Sequence, residues 1–136
     1  MPVFVTSSSA AKWKAFGDAV AAVAVTGTVT LELALSGVPM VTTYVAEQAQ
    51  WKRAARYKIR FASLPNILVG SELVPEILGL KRRSGDVVAT LENLLSDDAA
   101  VEAQRDGFRR IRAGMEKGAP DAPLTDPAER VLAHLR

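Results

Sequence analysis

Residues 19–44 run Ala19-Val20-Ala21-Ala22-Val23-Ala24-Val25, then Thr26-Gly27-Thr28-Val29-Thr30-Leu31-Glu32-Leu33-Ala34-Leu35-Ser36-Gly37, then Val38-Pro39-Met40-Val41-Thr42-Thr43-Tyr44. The first block is apolar without alternation and is closed by a glycine, the pattern of a strand buried on both faces of a parallel sheet. Thr28 to Ser36 reads as a helix, with Gly37 just past its end as the C-cap. The third block is rich in β-branched residues, and Pro39 lies near its start, where a missing donor is tolerated. Strand, helix and strand at this spacing specify parallel pairing through a right-handed crossover.

Upstream, Val3-Phe4-Val5 reads as a short strand, and Thr6 to Ser9 as a loop and helix cap. Ala10 to Asp18 reads as a helix with Trp13 and Phe16 on one face. The first 44 residues thus predict β-α-β-α-β, an α/β fold with about three parallel strands. Downstream, a helix runs from Glu47 through Trp51 to about Tyr57, and Ile59 to Leu64 is extended. Glu72 to Leu78 reads as a short helix. Ser84 to Leu95 and Asp97 to Met115 are helical, the second carrying Val101, Phe108, Ile111 and Met115 as one stripe. A proline-rich linker over 118–127 precedes a last helix from Ala128 to Leu135. The implied organisation is an α/β unit over 1–80, a helical tail over 81–117, the linker, and a terminal helix within 128–136.

The chain has 136 residues, 49% hydrophobic and 24% charged, enough for one domain with a real core. Cysteine is absent and His134 is the single histidine, which excludes disulfides, thiolate sites and multi-histidine metal sites. The residues predict no metal and no cofactor. A formal net charge of +2 does not imply nucleic acid. No apolar run is long enough to span a bilayer, and the N-terminus lacks a secretory pattern, so a soluble cytoplasmic protein is expected.

Thr26-Gly27-Thr28 sits where a buried strand meets a helix. Gly27 permits a tight turn and close approach of a ligand. The free N–H groups and positive end of the helix favour phosphate at the carboxyl edge of the sheet. A plain βα turn capped by Thr28 accounts for the same residues. Glu32 falls on a helix that is apolar nearly all round, where a carboxylate needs partners. The two hydroxyls of a ribose suit it, as does solvent reached from the first turns. Ser63 and Asn66 bracket Pro65, and an asparagine can read a base, sugar or phosphate or hold its own loop. Trp51, Lys52, Arg53 and Arg56, with Tyr57, Lys58 and Arg60 after them, interleave basic and aromatic residues. That suits an anionic lipid surface or nucleic acid, and equally a solvated helix face with Trp51 and Tyr57 packed inward.

Taken together, Thr26-Gly27-Thr28…Leu31-Glu32, Gly37-Val38-Pro39-Met40-Val41 and Ser63-Leu64-Pro65-Asn66…Gly70…Glu72-Leu73-Val74-Pro75-Glu76 resemble the lipid-A-disaccharide synthases, a family of bacterial glycosyltransferases. The resemblance runs from about Pro2 to near Met115. It implies a glycosyltransferase-B arrangement of two Rossmann-like domains, of which this chain matches the last third. It implies an inverting transfer of 2,3-diacylglucosamine from its UDP donor to 2,3-diacylglucosamine 1-phosphate, with UDP released and no metal required. Thr26, Gly27 and Thr28 would face the diphosphate, the Glu32 helix would meet the ribose, and Ser63 and Asn66 would complete the nucleotide-sugar site. Thr26 replaces the family's usual serine and keeps a hydroxyl. The catalytic base is expected in the N-terminal domain, so the matched portion carries no catalytic residue and is inactive alone. The family's place at the inner face of the cytoplasmic membrane suits lipid contact through Trp51, Lys52, Arg53 and Arg56. The competing reading is a non-catalytic module that forms a homodimer through its helical tail or through an open sheet edge at Val3-Phe4-Val5. Nucleic acid is not an expected partner.

Overall fold

The computed structural model describes residues 2–116 and 126–134. Helix α1 (Ser9–Asp18) leads into strand β1 (Ala22–Val25), helix α2 (Thr28–Leu35) and strand β2 (Met40–Val45). Helices α3 (Gln48–Arg56) and α4 (Leu64–Val69) come before strand β3 (Glu76–Gly79). Helices α5 (Ser84–Leu95), α6 (Asp98–Met115) and α7 (Pro127–His134) complete the chain. The sheet has three strands in the order β1-β2-β3, both pairs parallel, with Ala22 opposite Met40 and Thr42 opposite Glu76. This is an α/β fold consistent with part of a Rossmann-like domain.

One strand that the sequence predicts is absent, and one that it does not predict is present. Val3, Phe4 and Val5 form no strand and are 81–95% exposed. Their β propensity is genuine, but they have no neighbour to pair with. Glu76 to Gly79 is a strand rather than the end of a helix, because the free edge of β2 gives it a parallel partner. The extended piece at 59–64 ends at Leu64, where α4 begins with Pro65 in its first turn. The predicted linker over 118–127 lies mostly outside the described residues.

Successive side chains alternate between the faces of a strand. Ala22, Ala24 and Met40 therefore share one face, and they meet Leu33 and Ala34 of α2 and Phe108 and Ile111 of α6 in the core. The tail is thus part of the core. Its apolar stripe, read as a dimer surface in the competing proposal, packs at Phe108 and Ile111 against the chain's own sheet, while Met115 is left half-exposed. Helix α5 lies on the opposite face, near Thr43 and Val45. Val23 and Val25 also point to that face, and they are 49% and 59% exposed.

Local chemistry ends the helices as expected. Gly37 adopts φ 73° and its N–H bonds to the Ala34 carbonyl, while the Val38 N–H reaches that of Leu33, closing α2. Asp97 caps α6 by accepting from the N–H groups of Ala99 and Ala100 at 3.0 and 3.2 Å. On exposed α1, a hydrogen bond to Asp18, aided by charge attraction, holds the Lys14 ammonium above the ordinary lysine range.

Candidate functional site

The carboxyl ends of all three parallel strands lie at one edge of the sheet, the edge where α/β proteins bind ligands. At the end of β1, Gly27 is extended (φ 159°, ψ −166°) and takes the N-cap position of α2. Having no side chain, it cannot cap the helix. Thr28, proposed as the cap in the plainer reading, is the first residue inside. The N–H groups of Gly27, Thr28 and Val29 donate to nothing among the described residues. Nothing stands within 4 Å of where a Cβ on Gly27 would be, so the approach is open. Beneath the turn, buried Thr30 fixes the backbone: its hydroxyl donates to the Gly27 carbonyl at 2.7 Å. Gly27 and Thr28 are exposed and Thr26 is half-buried. What results is a rigid, uncapped, positively polarised helix end.

Glu32 lies about one turn further along α2. It is one-third exposed rather than sealed in, and its carboxylate already has a partner, the Lys12 ammonium at 2.8 Å. Lys12 gave no signal in the sequence because its role depends on how α1 folds back over α2. The ammonium also sits 4.8 Å from the centre of the Trp13 ring.

Ser63 and Asn66 are fully buried. The Asn66 amide donates to the Val74 carbonyl and to Glu76 Oε1, both at 2.8 Å, and its oxygen accepts the N–H groups of Leu73 and Val74. All four of its hydrogen-bonding positions are thereby filled. Glu76 also accepts from the Ser63 hydroxyl at 2.6 Å and from the N–H groups of Ala62 and Ser63. The two residues and Glu76 form a closed network that ties the start of α4 to β3. No polar atom of Asn66 is left for a ligand, so the geometry gives it a positioning role. Glu76, assigned to a helix by the sequence, is the centre of this network.

The basic-aromatic segment separates into two faces. At 100° per residue, Lys52, Arg53 and Arg56 occupy one side of α3 and Trp51, Ala54 and Ala55 the other. All three cations are exposed and make no ion pair among the described residues. No group of three or more metal-ligating side chains occurs among the described residues.

Residues 3–123 match the family model described as lipid-A-disaccharide synthetase. The chain belongs to the lipid-A-disaccharide synthase family. It is 40% identical over 125 residues to the lipid-A-disaccharide synthase of Rhodopseudomonas palustris, covering 91% of this chain and 31% of that protein. It is 40% identical over 121 residues to that of Anaeromyxobacter dehalogenans, covering 88% and 31%. It is 30% identical over 141 residues to that of Rhodospirillum centenum, covering 98% and 35%. The chain spans about a third of the length of the curated relatives it matches. Among the described residues no helix is long and apolar enough to cross a membrane.

Proposed function

We propose that this chain forms the nucleotide-diphosphate part of the donor site of a lipid-A-disaccharide synthase. The observation that supports the reading is the uncapped N-terminus of α2 at Gly27, on the carboxyl edge of a parallel sheet. Gly27 and Thr28 meet the diphosphate of a UDP-sugar through their N–H groups, and Thr26 and Thr28 through their hydroxyls. Glu32 meets the ribose hydroxyls, and Lys12 holds its carboxylate in place. Ser63 and Asn66 act through Glu76 by fixing the segment beside the site. The whole reaction is transfer of 2,3-diacylglucosamine from UDP to 2,3-diacylglucosamine 1-phosphate, with the acceptor-binding site and the base supplied by residues outside this chain. Transfer requires donor, acceptor and base to be aligned, so the 136 residues alone are inactive.

Titration of the 15N-labelled chain with UDP tests the site. Shifts confined to Thr26–Glu32 are expected, and Gly27→Val abolishes them by placing a branched side chain across the N–H groups. Absence of shifts at millimolar UDP would sink the reading.

The exposed cations Lys52, Arg53 and Arg56 support a second contact, with the anionic inner face of the cytoplasmic membrane, beside which Trp51 lies on α3. The protein is in this reading cytoplasmic and peripheral. Co-sedimentation with anionic vesicles is expected at low salt and lost at high salt. Binding that is insensitive to salt, or unchanged in a triple Lys52→Ser, Arg53→Ser, Arg56→Ser variant, removes this contact.

A further inference from the structure

Among the described residues, every ion pair but one lies within a single helix or its cap. The exception is Lys12 with Glu32, which spans 20 positions and joins α1 to α2. The lysine is well placed for it. Phe16 packs against the core from α1. Trp13 stands edge-on to Phe16, their ring centres 5.5 Å apart. The Lys12 ammonium lies between the Trp13 ring and the Glu32 carboxylate, 4.8 Å from the ring centre and 2.8 Å from Oε1.

Glu32 is the single charged side chain on α2. It follows Thr28 by four residues, so the two share a face one turn apart. Helical side chains lean towards the N-terminus, which carries the Glu32 carboxylate back towards the Gly27 turn. Two requirements conflict there. Ribose hydroxyls need an ionised acceptor. A diphosphate on the N–H groups of Gly27, Thr28 and Val29 would be repelled by that same negative charge, within about one helical turn. The carboxylate also occupies part of the positive field of the helix end that attracts phosphate.

An ammonium bonded to Glu32 removes the conflict. It cancels the charge but engages only Oε1, and Oε2 accepts no hydrogen bond among the described residues. Removing the carboxylate instead would relieve the repulsion and lose the acceptor.

We propose that Lys12 is a positioning residue of the donor site: its charge offsets that of Glu32, so that one site takes both a diphosphate and a ribose. This rests on the nucleotide reading and adds the group that makes carboxylate and phosphate compatible. A plain staple between α1 and α2 would have the same geometry but would act through stability alone, so the test separates charge from staple.

Inorganic diphosphate and UDP are titrated separately into the 15N-labelled full chain, and thermal unfolding of each variant is recorded. Both ligands are expected to shift the amides of Gly27, Thr28 and Val29 in the wild-type chain. Lys12→Met keeps the stem and removes the charge, and lowers affinity for inorganic diphosphate roughly fivefold, the scale of one partly screened unit charge. The loss shrinks at high salt. Lys12→Arg keeps the affinity. Combining Lys12→Met with Glu32→Gln returns diphosphate affinity to the wild-type level although the ion pair is gone, whereas UDP stays weak because the ribose has lost its acceptor. Lys12→Gln replaces Lys12→Met if the latter gives no cooperative melt.

A double variant as weak for diphosphate as Lys12→Met would show a staple and overturn the proposal. So would undiminished diphosphate binding in Lys12→Met, and so would a wild-type chain that UDP shifts and inorganic diphosphate does not. In those cases the nucleotide reading stands without it. A wild-type chain that UDP leaves unshifted removes both.

Discussion

Asn66 shows how completely one side chain can be used. Its amide bonds four groups, two of them on Val74, and all lie in the buried junction of α4 and β3. Asn66→Ala strands the Val74 carbonyl, two N–H groups and part of the Glu76 shell at once. Each buried orphan costs about 1–3 kcal/mol, less where relaxation admits water. A net loss of about 3 kcal/mol in urea unfolding is expected. Asn66→Asp is expected to be at least as damaging, because it removes the donor and places a second carboxylate against Glu76. A loss below about 1 kcal/mol for either variant would show that the network carries little weight. Both variants should weaken UDP binding less than Gly27→Val does, because Asn66 offers a ligand no atom.

At the scale of elements, α6 crosses close to the loop before β3 at Gly107. A Cβ added there would stand 2.4 Å from Leu73 Cδ2, inside any real contact. Alanine improves helix propensity by about 1 kcal/mol, but the crowding costs about 1–3. Gly107→Ala is therefore expected to destabilise the chain by about 1 kcal/mol. In a Leu73→Ala background the same change should become stabilising, and a double-mutant cycle by thermal or urea unfolding checks the reversal of sign. The elements also show what the sequence could reveal. Residues 19–44 were legible because strand, turn and helix are each encoded locally, down to Gly37. β3 was not: Glu72, Leu73, Glu76 and Leu78 are good helix formers, although Val74, Pro75 and Ile77 between them are not, and the edge of β2, more than thirty residues earlier, is what makes the segment a strand. The candidate site divides in the same way. The Gly27 turn is a local motif and was readable, whereas the partners of Asn66 and Glu32 depend on Glu76 and Lys12 reaching them through the fold. The two faces of α3 were readable in principle from their 100° spacing.

On the scale of the whole molecule, β1 is paired on one side only. Its outer backbone groups adjoin a face where Val23 and Val25 are about half exposed, and Val20 just before it is 74% exposed. Parallel strands are normally covered on both faces, so this edge is where a further strand and its crossover helix would seat. Alone, the 136-residue chain is expected to self-associate through β1 at high concentration. Val23→Lys and Val25→Lys should each shift sedimentation towards monomer, while Val3→Lys, outside the sheet, should not. A chain that stays monomeric at all concentrations removes this expectation.

The tail also bears on how the molecule is built in time. Gln104 reaches from α6 to β2, where its amide oxygen accepts the Met40 N–H at 2.8 Å and its nitrogen donates to the Met40 carbonyl at 3.0 Å. The two residues are 64 positions apart. A ribosome adding 5–20 residues per second therefore finishes Gln104 on the order of 3–13 s after Met40. During that interval the central strand of the nascent chain holds an unclamped backbone and an uncovered methionine. For a sheet this small, those seconds are when a chaperone has the most to shield.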